Sequence, residues 1–409
     1  MITSQKALQI ILDNTEDFGI EEIPFLGSLG RILKEDIIAD REFPPFNRVS
    51  MDGIAVSHDT FSNGARDFPI ENIQPAGSAQ VELLDSKNCI EVMTGAVLPK
   101  NVDVVIPYEQ VTIENGMATV QVDEIKPLQN VHLKGKDRNE NDILQKKDTI
   151  ISSAEIGIFA TVGKSIIKVA KQPKVLIIST GDELVGVSEK PLSYQIRRSN
   201  IYTLVSLLER LNIKAETEHI SDNKQLLKQK IERHLEHYDV LLFSGAVSKG
   251  KFDFLPEVFD ELGIEKLFHK VKQRPGKPFW FGVSDPLSMN ERTAYKKTKT
   301  IIFAFPGNPV STFVGCLKYF YPWYKKSMGI DYENQHKAIL AEDFIFKPQL
   351  TYFLQVITEN RNGTLYAKPF VGNGSGDLAN LAEADAFLEL PDNGNDFKKG
   401  EVFPLIEFR

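Results

Sequence analysis

The chain has 409 residues, 42% of them apolar and 25% charged, and a formal net charge of −8 at pH 7. That acidic balance excludes general affinity for nucleic acid or an anionic membrane surface, and no apolar run approaches the roughly 18 residues a membrane helix needs. The two cysteines, Cys89 and Cys316, form no metal-type pair and no disulfide framework, which fits a reducing cytoplasm.

In chain order, residues 3–18 predict an amphipathic helix capped by Thr3 or Ser4, not a signal peptide. Phe43-Pro44-Pro45-Phe46 predicts extended chain, because proline disfavours α geometry in the residue before it. Residues 54–135 alternate short β-like runs with turns such as Ile73–Gly77 and predict a mostly β domain. Residues 153–164 predict a helix packed back on the first one.

At Lys171–Lys174 the texture changes. Strands now alternate with helices over 200–211, 222–237, 254–262 and 309–325, a doubly wound layout. His234 and His237 lie on a Lys/Glu-rich helix and read as a solvated face. Beyond residue 328 the pattern returns to short β runs. The expected division is 1–45 plus 140–170, an inserted β domain over 46–139, an α/β domain over 171–328 and a β domain over 329–409.

Three continuous apolar runs end in glycine-bearing loops. Val175–Ser179 leads to Thr180-Gly181-Asp182-Glu183, Val240–Phe243 to Ser244-Gly245 and onward to Gly250, and Ile301–Phe305 to Pro306-Gly307-Asn308-Pro309. Such runs suit parallel strands buried on both faces, whose carboxyl ends gather ligands. Glycine admits close backbone approach and helix N-termini favour anions, so the three loops predict one anion pocket. Two carboxylates beside a phosphate loop make sense around a divalent cation, which makes Glu183 the better metal or base candidate. Ser244, Ser248, Lys249 and Lys251 resemble an anion nest, but no Walker spacing is present. Lys270, Arg274 and Lys277 surround a stiff Pro-Gly turn; Arg274 can grip an oxyanion bidentately, with Lys277 as a point charge. The plain alternatives are helix capping by Asp182, Asp222 or Asp253.

Seven motifs stand in order: Ser50–Ala55, Met93–Ala96, Gly135–Asp137, Thr180–Leu184, Ser244–Asp253, Pro275–Pro278 and Pro306–Ser311. Together they resemble the MoeA-type molybdopterin molybdenumtransferases, the family that includes the E domain of gephyrin, across essentially the whole chain. The resemblance implies an α/β multidomain fold: a split N-terminal domain with a mostly β insertion, a three-layer α/β domain and a small C-terminal β barrel. It implies a homodimer with the site between subunits, and transient contact with an adenylyltransferase and with recipient molybdoenzymes. It implies insertion of molybdate into adenylylated molybdopterin, with AMP release in the presence of Mg²⁺.

The same resemblance assigns roles. Glu183 and Asp253 hold Mg²⁺ and the nucleotide, and Asp52 and Asp137 act at the pterin end as further catalytic candidates. Thr94 and Ser375 donate to pterin or phosphate, while Lys270, Arg274 and Lys277 offset anionic charge. Thr180, Gly181, Asp222, Ser244, Gly245, Ser248, Pro306, Gly307, Asn308 and Pro309 complete the substrate-binding set. The chain departs from the family pattern at Ala246, Lys249 and Lys251, at His132 where arginine is frequent, at Arg274 where lysine is common, and over Gln349–Gln355, where arginine is absent. Two other readings compete: a molybdopterin adenylyltransferase using the α/β domain alone, and a non-catalytic dimeric scaffold.

Overall fold

In the computed structural model, which describes residues 1–245, 247, 253–284, 299–330 and 336–409, the apolar runs after Lys174 build a six-stranded sheet. Its strands are β1 (Val175–Thr180), β2 (Glu216–Ile220), β3 (Val240–Ser244), β4 (Glu265–His269), β5 (Trp280–Ser284) and β6 (Thr300–Phe305). Their order is β2-β1-β3-β6-β5-β4. β2, β1, β3 and β6 are mutually parallel, and β5 runs antiparallel to both its neighbours. Every residue of β1, β3 and β6 is buried, as strands covered on both faces must be.

The cover comes from four helices: α1 (Asn200–Glu209), α2 (Lys224–His237), α3 (Leu255–Glu261) and α4 (Pro309–Gly315). Leu204 and Leu208 of α1 and Val310 and Val314 of α4 share a core with Ile177, Leu242 and Phe303. Leu227 and Ile231 of α2 and Val258 and Phe259 of α3 share the opposite core with Ile178, Phe243 and Ala304. Alternate residues of each strand thus supply the two cores.

The helix expected over 309–325 is present and runs without a gap to Ser327, with a change of pitch inside it. α4 runs into one π-helical turn, Cys316–Phe320, whose closing bond runs from the Tyr321 N–H to the Cys316 carbonyl, and the α-helix resumes over Tyr321–Ser327. Pro322 explains the wider turn, since it has no N–H for the Lys318 carbonyl one turn back. The first helix is also shorter than expected, Ser4–Leu12, with Thr3 Oγ1 accepting from the Lys6 amide at 3.2 Å. Its Ala7 and Ile11 join the core that holds Tyr319 and Trp323. Ile2 and Thr3 pair with Val271 and Lys272 and draw the helix onto that face. The helix expected over 153–164 forms over Ser153–Thr161 and belongs to the second of the two units described below.

After residue 336, the strands Lys337–Leu340, Thr351–Arg361, Thr364–Pro369, Ala386–Leu390 and Val402–Glu407 close on themselves as a small barrel. Leu340, Leu354, Val356, Ala367, Leu388 and Leu405 fill it. The strand Val271–Arg274 continues this sheet by pairing with Thr351 and Tyr352, which places the segment after Arg274 at the barrel edge.

The chain forms two compact units. The first holds Met1–Lys34, Asp148–Ser152 and Ile166–Arg409, and the second Glu35–Lys147 with Ser153–Ser165. The second contains a six-stranded sheet in the order Val104–Pro107, Gly53–Val56, Cys89–Val92, Asp67–Gln74, Met117–Val120, Val111–Glu114. Gly53 is forced there: a Cβ would lie 2.0 Å from the Ile106 carbonyl oxygen. Phe43 pairs as an isolated bridge with Arg138, but the chain bends over Pro44–Phe46 where extended chain is expected. Among the described residues no helix is long and apolar enough to cross a membrane.

Candidate functional site

The strand order reverses between β1 and β3, because β2 lies on one side of β1 and β3 on the other. In doubly wound sheets that reversal opens a crevice at the strands' carboxyl ends. A cavity of about 570 Å³ occupies it, and the expected loops converge there. Thr180, Gly181 and Glu183 follow β1, Asp222 follows β2, Ser244 and Gly245 end β3, and Pro306, Gly307, Asn308 and Pro309 follow β6; Asp253 completes the set.

The capping alternatives fall away. Asn223, not Asp222, caps α2, accepting from the Leu226 amide at 3.0 Å. α3 begins after Phe254 with no side-chain cap, so Asp253 does not serve it. Asp182 Oδ1 accepts from the Asp222 amide at 3.0 Å and binds the β1 loop to the β2 loop.

One residue that sequence reading passes over is central. Ser199-Asn200 reads as a helix cap, yet Ser199 makes no side-chain capping bond. Asn200 Nδ2 instead donates to Ser244 Oγ at 2.9 Å and to the Gly307 carbonyl at 2.7 Å, tying the ends of β3 and β6 together. Gly245 has φ +110°, and a Cβ there would lie 3.0 Å from the Thr180 carbonyl oxygen, so only glycine fits. Thr180 Oγ1 is buried beside it with no hydrogen-bond partner among the described residues.

Glu183, Asp222 and Asp253 line the first cavity together with Arg197 and Arg198. Burial raises the Asp222 carboxyl above its ordinary range, and the neighbouring Asp182, Glu183 and Asp253 charges raise it further. These oxygens suit a hard divalent cation. Among the described residues, however, no three His, Cys, Asp or Glu side chains converge as a complete metal cage, so a cation here needs oxygens from a ligand.

A second cavity, of about 420 Å³, adjoins the first and shares Pro306 and Asn308 with it. Arg274, Lys277 and Ser375 line it, with Tyr352, Gln355 and Asn373 from the barrel side. Asn308 Nδ2 donates to Ser375 Oγ at 3.0 Å, and the Val310 amide donates to the Ser375 carbonyl at 3.0 Å. Arg274 and Lys277 are exposed, and neither has a carboxylate partner among the described residues. The Arg274 guanidinium lies 5.9 Å from the centre of the Phe346 ring. Lys270 lines neither cavity; it sits at φ +76°, its amide donating to the Phe279 carbonyl at 2.9 Å. Ser248, with Ala246, Lys249 and Lys251, lies outside the described residues.

The second unit holds the other expected residues in two contacts. Asp52 Oδ1 accepts from the Thr94 amide at 2.6 Å, and Thr94 holds the Asp52 carboxyl below the usual aspartate range. Asp137 Oδ1 pairs with His132 Nε2 at 2.9 Å, so the histidine at the departure position is the partner of a site candidate. His234 is not a solvated histidine. Its Nε2 meets Glu218 at 2.5 Å and its side chain is 15% exposed, because α2 packs over β2.

Known proteins match the chain from end to end. The family region described as "MoeA N-terminal region (domain I and II)" matches residues 2–163, "Probable molybdopterin binding domain" matches 176–326, and "MoeA C-terminal region (domain IV)" matches 337–408. The molybdopterin molybdenumtransferase of Synechocystis is 38% identical over 99% of both chains. That of Staphylococcus epidermidis is 31% identical over 93% of this chain and 89% of its own. Among solved structures, the molybdopterin biosynthesis moeA protein of Pyrococcus horikoshii superposes with a TM-score of 0.81 at 27% identity, covering 100% of this chain and 99% of that one. The motif order, the α/β crevice, the closed C-terminal barrel and these end-to-end matches have one common source: the chain belongs to the MoeA family of molybdopterin molybdenumtransferases.

Proposed function

We propose that this transferase of molybdenum cofactor biosynthesis inserts molybdate into adenylylated molybdopterin and releases AMP, using the paired cavities around Asn308 as its phosphate and oxyanion subsites. The observation that carries the reading is one wall shared by two cavities of different chemistry. Glu183, Asp222 and Asp253 line the first together with Arg197 and Arg198, and Arg274 and Lys277 line the second.

In the first cavity the adduct's phosphates lie against the Gly245 and Gly307 backbone, where no Cβ stands in the way. Thr180 Oγ1 is free to donate to a phosphate oxygen. Glu183, Asp222 and Asp253 supply the carboxylate oxygens that would hold Mg²⁺ together with those phosphates. Mg²⁺ held there would neutralise phosphate charge and stabilise the AMP leaving group. Asn200 holds the two phosphate loops at a fixed spacing.

In the second cavity Arg274 and Lys277 attract the molybdate dianion, and Ser375 and Asn308 hydrogen-bond between the subsites. Asp52 with Thr94, and Asp137 with His132, position groups at the pterin end, in keeping with the family resemblance. The working form is a homodimer in transient contact with the adenylyltransferase and the recipient enzymes.

The test is a turnover assay with adenylylated molybdopterin, Mg²⁺ and molybdate. AMP release that requires molybdate and collapses in Glu183→Ala and Asp253→Ala is the expected result. Tight adduct binding with no AMP release under any oxyanion would overturn the reading.

A further inference from the structure

Beneath the loop that bears Arg274 and Lys277 runs a chain of buried polar side chains. Gln273, the residue before Arg274, is 1% exposed, Tyr319 is 0% and Ser4 is 1%. Gln273 Nε2 donates to the Pro275 carbonyl at 3.2 Å and to the Gly276 carbonyl at 3.3 Å. Carbonyls only accept, so the amide orientation is fixed and Oε1 must face Tyr319. The Tyr319 hydroxyl donates to that Oε1. Ser4 Oγ, 3.0 Å from the same hydroxyl, is therefore the donor to it. Every bond in the chain points one way, from the first helix to the Pro-Gly turn.

We infer that Gln273 and Tyr319 are positioning residues for the oxyanion subsite: through the Pro275 and Gly276 carbonyls they set where Arg274 and Lys277 stand. The inference rests on the proposed role of those two cations. Two further observations support it. Gly276 has φ +87°, and a Cβ there would lie 2.9 Å from Gln273 Nε2, so the amide fills the space under the turn. Tyr319 is carried by the π-helical turn, a feature that recurs at functional sites and that directs this hydroxyl inward.

The test compares wild type with Tyr319→Phe, which keeps the ring stacked on Phe279 at 4.9 Å and removes only the hydroxyl. Two quantities are read: the molybdate concentration for half-maximal AMP release, and the affinity for AMP with Mg²⁺. The expected result is a rise in the molybdate constant of roughly three- to tenfold, the size of one lost hydrogen bond, with AMP affinity unchanged. Combining Tyr319→Phe with Arg274→Ala should give less than the product of the two effects. Gln273→Met asks the same question from the loop side if Tyr319→Phe does not fold. A lowered melting temperature with an unchanged molybdate constant would overturn the inference and leave the relay structural. If Arg274→Ala and Lys277→Ala themselves leave molybdate dependence unchanged, the oxyanion assignment falls and the relay falls with it.

Discussion

Asn200 donates one amide hydrogen to the Gly307 carbonyl at 2.7 Å, and through it the start of α1 is tied to the loop after β6. The same nitrogen reaches Ser244 Oγ at 2.9 Å, so a single side chain spaces two loops of the first cavity. Asn200→Ala removes both bonds. The expected loss is about 1–2 kcal/mol, roughly five- to thirtyfold in AMP affinity, read by calorimetric titration with Mg²⁺ present.

Thr180→Val tests the unpartnered hydroxyl. A buried oxygen without a partner is a liability in the free protein. The ligand-free variant should be as stable as the parent or up to about 1 kcal/mol more stable, while AMP binding weakens roughly fivefold. Denaturant unfolding and titration together check this; weaker folding with unchanged AMP binding would show that the hydroxyl serves the fold.

Asp222→Asn tests the like-charge cluster. The folded-state pKa of Asp222 is raised, so its ionisation disfavours the folded state, and any stabilising contribution exists only below the unfolded value and is lost as pH rises through the folded one. The ligand-free variant should therefore melt higher than the parent at pH 7, by about 1–3 °C, with the gap closing near pH 4. Added Mg²⁺ and AMP should raise the parent's melting temperature more than the variant's.

Asp52 behaves in the opposite sense. Its carboxyl is held low by the Thr94 amide, so its contribution is present above the unfolded value and is lost as pH falls through the depressed one. The melting difference between the parent and Asp52→Asn should stay constant from about pH 5 to 8 and shrink only below about pH 4. A change centred near neutrality would assign the titration to another group.

Arg274→Ala and Lys277→Ala should each raise the molybdate requirement roughly 10- to 100-fold, the worth of a charge-assisted hydrogen bond of about 1.5–3 kcal/mol. The effect should weaken at high salt, because both side chains are exposed.

What the chain discloses before folding follows from physical range. β1, β3 and β6 announce themselves as unbroken apolar runs, and each glycine loop announces its strand end, so the first cavity is legible locally. Asn200 is hidden because Ser-Asn before a helix reads equally as a cap, and only the distant Gly307 decides otherwise. Gln273 gives no signal of its own: its partner Tyr319 is 46 residues away. Lys270 marks a limit of local reading: charge beside a Pro-Gly turn says nothing of where the backbone sends it, and Lys270 lines neither cavity. The barrel's closure depends on the pairing of Thr351–Arg361 with Ala386–Leu390, a non-local event that no short pattern encodes.

The π-helical turn at Cys316–Phe320 bears on how this chain tolerates insertions and deletions. Each residue of an α-helix advances about 100° around the axis, so one residue more or fewer between Pro309 and Ser327 would swing Trp323 and Tyr324 out of the core they share with Tyr319 and Phe320. The surplus residue acts as a spacer: side chains along this segment are open to exchange, but its length is not.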